Sequence, residues 1–335
     1  MITDPKDERS ESQWKRRSAS NSLAECEPKD GCVSEASGHA NAARQGAGTT
    51  ARGQSLELVP ASCYSMEALT AAYNQTRIDY IVPMPMNVAR LEAYIQHYDC
   101  DLGRSVVARL GGEVLGLAML GVRSRRTWIT RLGVLPVSRR NGSGEAMMRY
   151  LIDRSRDLGA EDSILEVIKN NVPAQQLFTK LGFRVTRELL ILRRPPGLPV
   201  VDAPAYRVTA GDQQRALELL RRRRSVPSWL DETQSLRNCG GLLSLEVSLD
   251  DGSHGWLVYQ STVFQLGRLV LQTESGNPAR VAQALAHALH TRHPIQDTKT
   301  ENIPADDPHL PGLLAMRYLE SFRRMEMRLD LTNGS

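Results

Sequence analysis

Residues 131–183 read RLGVLPVSRRNGSGEAMMRYLIDRSRDLGAEDSILEVIKNNVPAQQLFTKLGF. A strand pattern over Thr127–Leu135 stops at Pro136, and from Glu145 the apolar period becomes helical. Met147, Met148, Leu151, Ile152 and Leu158 share one face of that helix, and Gly159 supplies its stop. Ser163–Ile168 then reads as a buried strand. Pro173–Leu181 reads as a short helix with Ala174, Leu177, Phe178 and Leu181 on one stripe, closed by Gly182. The alternation of strand and helix makes the chain a mixed α/β protein.

Between the strand and its helix lies SRRNGSG. Gly142 and Gly144 can take positive φ and let backbone amides converge without a Cβ in the way. Such amides at a helix N-terminus form an anion site, and a diphosphate is a common occupant. Arg139 and Arg140 add positive charge beside it. By itself the same spacing also fits an ordinary tight turn.

Arg139-x-x-Gly142-x-Gly144 is followed by Leu165-Glu166-Val167, Asn171-x-x-Ala174-x-x-Leu177-Phe178 and Leu181-Gly182-Phe183. In that combination and spacing the chain resembles the GNAT (Gcn5-related N-acetyltransferase) superfamily over residues 56–197. The resemblance implies that acetyl-CoA lies between strands that splay apart at Arg131–Leu135 and Ile164–Ile168. Its diphosphate would sit on the amides of Arg139, Arg140, Asn141, Gly142, Ser143 and Gly144. Its pantetheine arm would pair with Leu132, Gly133 and Val134, with Asn171, Ala174 and Phe178 on the far wall. The resemblance also implies transfer of the acetyl group to an amine, with Glu166 at the position of the general base. The position of the acid is Phe178, which has no proton to give.

Upstream, Ser65 is placed to cap a helix through Asn74, and Val88–Tyr98 repeats apolar residues at helical spacing. Ser105–Leu110 and Val114–Val122 flank Gly111-Gly112, a hairpin signal. Residues 1–54 hold eight basic and eight acidic residues and no apolar period, so they read as a disordered tail. Downstream, Phe183–Arg193 reads as a final hairpin, and RRPPGLPVVDAP as a semi-rigid linker. The element order then repeats weakly over 201–332, the pattern of a tandem duplication. The expected division is a tail at 1–54, an acetyltransferase domain at 55–197 and a degenerate copy at 198–335. Where the second copy needs a phosphate loop, Gln272–Pro278 offers one Gly, a carboxylate and no Arg. That half is expected to shape the acceptor side or to cover an edge of the first sheet.

Composition narrows the remaining classes. The net charge is +4, and four Phe, nine Tyr and four Trp in 335 residues give little stacking material, which argues against a nucleic-acid partner. No apolar run reaches the ~20 residues of a membrane helix. Five scattered cysteines without a CxxC pair suit neither a disulfide framework nor a Cys-based zinc site, and suit a cytoplasmic setting. His287, His290 and His293 recur every third residue, but no carboxylate or Cys joins them, so no metal is expected. Arg221–Arg224 reads as a solvated helix end. Arg123, Arg125 and Arg126, expected at the mouth of the cleft, suit an acidic acceptor, the 3′-phosphate of CoA or a polar turn. The function expected is acetyl-CoA-dependent N-acetylation of a small-molecule or peptide amine. The alternatives are a catalytically weak acyl-CoA-binding or regulatory protein, and an acyltransferase using another acyl group or acceptor.

Overall fold

The turn signals and apolar periods above become thirteen strands and eight α-helices among the described residues. The computed structural model describes residues 55–332, so the tail expected at 1–54 lies outside the described residues. In chain order come β1 (Leu56–Pro60), α1 (Met66–Gln75), α2 (Val88–His97), β2 (Val106–Leu110), β3 (Glu113–Arg123) and β4 (Arg126–Val134). Then follow α3 (Ser143–Asp157), β5 (Asp162–Ile168), α4 (Val172–Lys180), β6 (Arg184–Arg194), β7 (Tyr206–Gly211), α5 (Gln213–Leu220) and α6 (Thr233–Cys239). The chain closes with β8 (Leu242–Leu249), β9 (His254–Ser261), β10 (Gln265–Ser275), α7 (Pro278–Arg292), β11 (Asp297–Lys299), β12 (Ile303–Pro304), α8 (Leu310–Ala315) and β13 (Leu319–Asp330).

The contacts group into two compact units. The first holds described residues 55–92, 101–120 and 131–154. Here β1, β2 and the start of β3 run antiparallel, and Gly111-Gly112 makes the expected turn. The Ser65 hydroxyl accepts from the Ala68 amide and starts α1 as its sequence position predicts. Leu69, Tyr73, Leu91, Leu117, Met119 and Met147 are among the large apolar side chains this unit buries completely.

The second unit holds 93–100, 121–130 and 155–332. Its strand order is β4-β5-β13-β6-β11-β10-β9-β8-β7. The parallel pairing of β4 with β5 runs from Arg126↔Asp162 to Ile129↔Leu165 and stops there. Leu285 and Leu289 of α7 join Leu190, Leu192, Leu245 and Leu257 in one core.

Two expectations are corrected here. Arg184–Arg194 is one continuous strand and not a hairpin, because RVTRELLILRR contains no residue that favours a turn. Its antiparallel partner is β13, near the end of the chain, which also pairs with β5 from Arg324↔Ile168 to Asp330↔Asp162. The closing segment therefore fills the interior of the sheet and does not merely cover an edge. A fragment ending near residue 200 leaves β5 and β6 without the strand between them, so CoA binding has to be tested on the whole chain.

Candidate active site

The loop after β4 is built by local chemistry. The Asn141 side-chain oxygen accepts from both the amide and the hydroxyl of Ser143, whose own side chain is buried at the start of α3. Gly142 has φ +84, and a Cβ added there would meet nothing within 4 Å, so the space in front of the loop is open. The second left-handed residue is Arg140, φ +68; Gly144, for which positive φ was expected, lies inside α3. Among the described residues, the amides of Arg140, Asn141, Gly142 and Gly144 have no hydrogen-bond acceptor. Donors left free at a helix N-terminus are the groups an anion can use.

The charges beside the loop differ from expectation in one respect. Arg139 forms a two-pronged ion pair with Asp79, at 2.6 and 2.7 Å, so its charge is already met. The Arg139 guanidinium holds the Asp79 carboxyl below its usual range. No ion pair engages Arg140 among the described residues, and its φ is +68.

On the strand side, Gly133 is required by close approach, because a Cβ there would stand 2.3 Å from the Thr76 hydroxyl. The carbonyl of Leu132 accepts from Arg77, and that of Val134 weakly from Arg139. Two of the three residues expected to pair with pantetheine thus already carry a guanidinium. Arg131 stands at the head of this stretch with φ +55, and its guanidinium donates to the Tyr73 hydroxyl.

Glu166, Asn171, Ala174 and Phe178 fall in the second unit, while the loop and Leu132–Val134 fall in the first. Asn171 caps α4, its side chain accepting from the Ala174 amide. Phe178 is 6% exposed and packs on Phe183 with ring centres 6.2 Å apart. Glu166 points into a polar cluster that local sequence does not announce. Its Oε1 accepts from Asn302 at 2.8 Å and its Oε2 from Arg324 at 3.3 Å. Asn302 also donates to Ser228, and the Ser228 hydroxyl donates to Asp231. Burial raises the Glu166 carboxyl from 4.5 to about 7, with Arg324 and Asn302 opposing the rise and Glu326 and Asp231 adding to it. Neither Asn302 nor Arg324 carried a signal in the sequence.

Other singled-out residues turn out to be occupied by the fold. Arg123 ends β3 and Arg126 opens β4, so their hairpin lies at the opposite end of β4 from the Arg139–Gly144 loop. Arg123 is bonded to Asp99, Glu232 and Ser235 and lies over the Trp229 ring; Arg126 meets Asp162 and Glu232. Arg125 pairs with Glu161. Of the three readings, the polar turn is the one this bonding supports. His287, His290 and His293 each pair with a different tyrosine: Tyr206, Tyr318 and Tyr259. No cluster of metal-binding side chains occurs among the described residues. Arg222 and Arg224 are exposed, as a solvated helix end requires, and both also pair with Glu274.

The Acetyltransferase (GNAT) family model matches residues 67–183. No curated protein matches the chain significantly. Among solved structures, a GCN5-related N-acetyltransferase from Sphaerobacter thermophilus aligns over 84% of this chain and 97% of its own, at TM-score 0.58 and 17% identity. A tandem GNAT protein from the clavulanic acid biosynthesis pathway aligns over 84% and 100%, at TM-score 0.57 and 15% identity. A putative acetyltransferase from Pyrococcus horikoshii aligns over 83% and 90%, at TM-score 0.54 and 14% identity. The likeness to these structures is one of fold. No helix among the described residues is long and apolar enough to cross a membrane.

Proposed function

We propose, because the GNAT acetyltransferase family model matches residues 67–183, that the chain transfers the acetyl group of acetyl-CoA to the amine of a small molecule or peptide. One observation carries the reading: the amides of Arg140, Asn141, Gly142 and Gly144 are left free where β4 hands over to α3. A CoA diphosphate supplies acceptors for all of them and a counter-charge for Arg140. In the reaction the neutral amine attacks the thioester carbonyl carbon, a C–N bond forms, and the C–S bond breaks. The proton of the starting ammonium passes to Glu166 through water. A carboxyl raised to about 7 is matched to that task at neutral pH. The departing thiolate, with an ordinary pKa near ~8.5, takes its proton from water, since Phe178 has none.

Calorimetric titration of the whole chain with acetyl-CoA tests the loop. Gly142→Val forces a β-branched residue to positive φ at a cost of about 1–2 kcal/mol. Affinity for acetyl-CoA is expected to fall about 10-fold while the fold persists, because the added Cβ meets no neighbour. An unchanged affinity would remove the loop from the site.

Asp79→Asn has the opposite sign. It frees Arg139 for the phosphates, and a half-exposed ion pair of this kind is worth enough for about a 2- to 5-fold gain in CoA affinity. The gain is expected to vanish at high salt. A loss of affinity would mean that the pair holds the loop in its binding conformation.

Phe178, buried where a proton donor was sought, favours a second reading: a CoA-binding protein with little turnover. Release of free thiol from acetyl-CoA in the presence of a panel of amines separates the two. Tight binding without thiol release for any amine would establish the second.

A further inference from the structure

One arginine of the first unit carries a charge that the fold leaves unanswered. Arg77 follows α1 and is half-buried, its guanidinium 4.5 Å from the centre of the Tyr80 ring and 5.0 Å from that of Tyr73. Its Nη2 donates to the Leu132 carbonyl at 3.3 Å, and its Nε is enclosed without an acceptor. Nη1 has no acceptor among the described residues and is not enclosed, so a ligand can reach it. A half-buried guanidinium ordinarily gains a carboxylate, as Arg123, Arg187 and Arg324 do in this chain. Arg77 has none among the described residues: the carboxylate nearest to it in the sequence, Asp79, is taken by Arg139.

A second guanidinium shares the Tyr73 ring. Arg131 lies 5.3 Å from its centre and donates to its hydroxyl, which in turn donates to the Met84 carbonyl. Arg131 holds a left-handed backbone inside a strand, φ +55, and strain of this kind collects where a side chain has to be aimed. The tyrosine face attracts both cations and neutralises neither. An anion does.

The position of the two arginines says what carries that anion. In the proposed reading the diphosphate sits at the loop after β4, and the pantetheine arm runs back along Val134, Gly133 and Leu132. The acyl end then arrives beside Arg131 and the Leu132 carbonyl that Arg77 holds. The molecule that meets the acyl carbon there is the acceptor.

Resting on that reading, we propose that the acceptor is an amine that also carries a carboxylate, as a free amino acid does, and that Arg77 Nη1 donates to one of its oxygens. Arg131 supplies the second positive charge of the site. The rings of Tyr73 and Tyr80 hold the Arg77 guanidinium in place beforehand, which lowers the ordering cost of the contact.

NMR titrations of the whole chain, with and without CoA, test it. The probes are L-amino acids, each beside its primary amide, and O-phosphoethanolamine beside ethanolamine. At least one amino acid should bind saturably, and its amide about 10- to 100-fold more weakly, the range for a hydrogen bond to a charged group. Arg77→Met should abolish that difference by weakening the amino acid alone, and Arg77→Lys should restore part of it. In thiol-release assays Arg77→Met should raise KM for the same amino acid and leave kcat nearly unchanged. Equal binding of acids and amides, a preference for the phosphate alone, or a discrimination that survives Arg77→Met would overturn the proposal. A chain that binds amino acids in this way but releases no thiol from acetyl-CoA would keep the carboxylate site and lose the transfer reaction. Thiol release that favours the amides would do the reverse.

Discussion

Glu166→Gln is expected to lower kcat/KM about 10²- to 10⁴-fold, the usual contribution of a positioned general base, while making the folded chain more stable above neutral pH. The two effects share one cause. Burial raises the carboxyl from 4.5 to about 7, so between those values the folded chain holds a proton that the unfolded chain releases. The stability linked to that proton is fully present below pH 4.5 and is lost as pH rises through about 7. A shift of this size corresponds to about 3 kcal/mol. Glutamine keeps one acceptor for Asn302 or Arg324, turns an amide donor toward the other at a cost that does not vary with pH, and has no proton to lose. The stability of the variant relative to the parent should therefore grow with pH across that window, as read from denaturant midpoints at several pH values. Acetyl-CoA affinity should hardly change. If kcat/KM were also unchanged, Glu166 would be a structural residue of β5, and a stability difference independent of pH would refute the raised carboxyl.

Arg324→Met should destabilise the chain by about 3–5 kcal/mol at neutral pH, because it removes one partner of a buried pair and strands the other. The Arg324 side chain is 14% exposed and the Glu166 side chain 7%. Arg324 also donates to Asn302 and meets Glu301, so the loss spreads through the cluster. The deficit should shrink as pH falls below about 7, since a protonated Glu166 needs no cation. Thermal melts of parent and variant at neutral and acid pH check this. A deficit that does not change with pH would come from lost packing of the arginine stem and not from the stranded charge. An Arg324→Lys variant, which restores a cation, should recover part of the stability.

Both predictions concern residues whose surroundings the linear sequence conceals. Glu166 was legible as a candidate because it stands in a short block with Asn171 and Phe178, and the helix cap at Asn171 forms from residues three apart. The loop was legible for the same reason: Asn141, Gly142 and Ser143 set its conformation through contacts two residues apart and a positive φ. The error at Gly144 was also local. Once Asn141 starts the turn, Gly144 already follows helical geometry, and Arg140 takes the second left-handed position.

What the sequence by itself determined is the set of elements carried by short-range periodicity, capping and turn chemistry, together with the local conformation of the loop at Asn141–Ser143. Only the tertiary structure decided which strands are neighbours. β13 enters between β5 and β6 and carries Arg324 to Glu166, 158 positions earlier in the chain; Asn302 arrives from 136 positions away. An apolar alternation tells a strand which face to bury, but it does not name the edge it joins, because any strand of matching pattern offers the same backbone hydrogen bonds. The environment that raises the Glu166 carboxyl is a product of that choice.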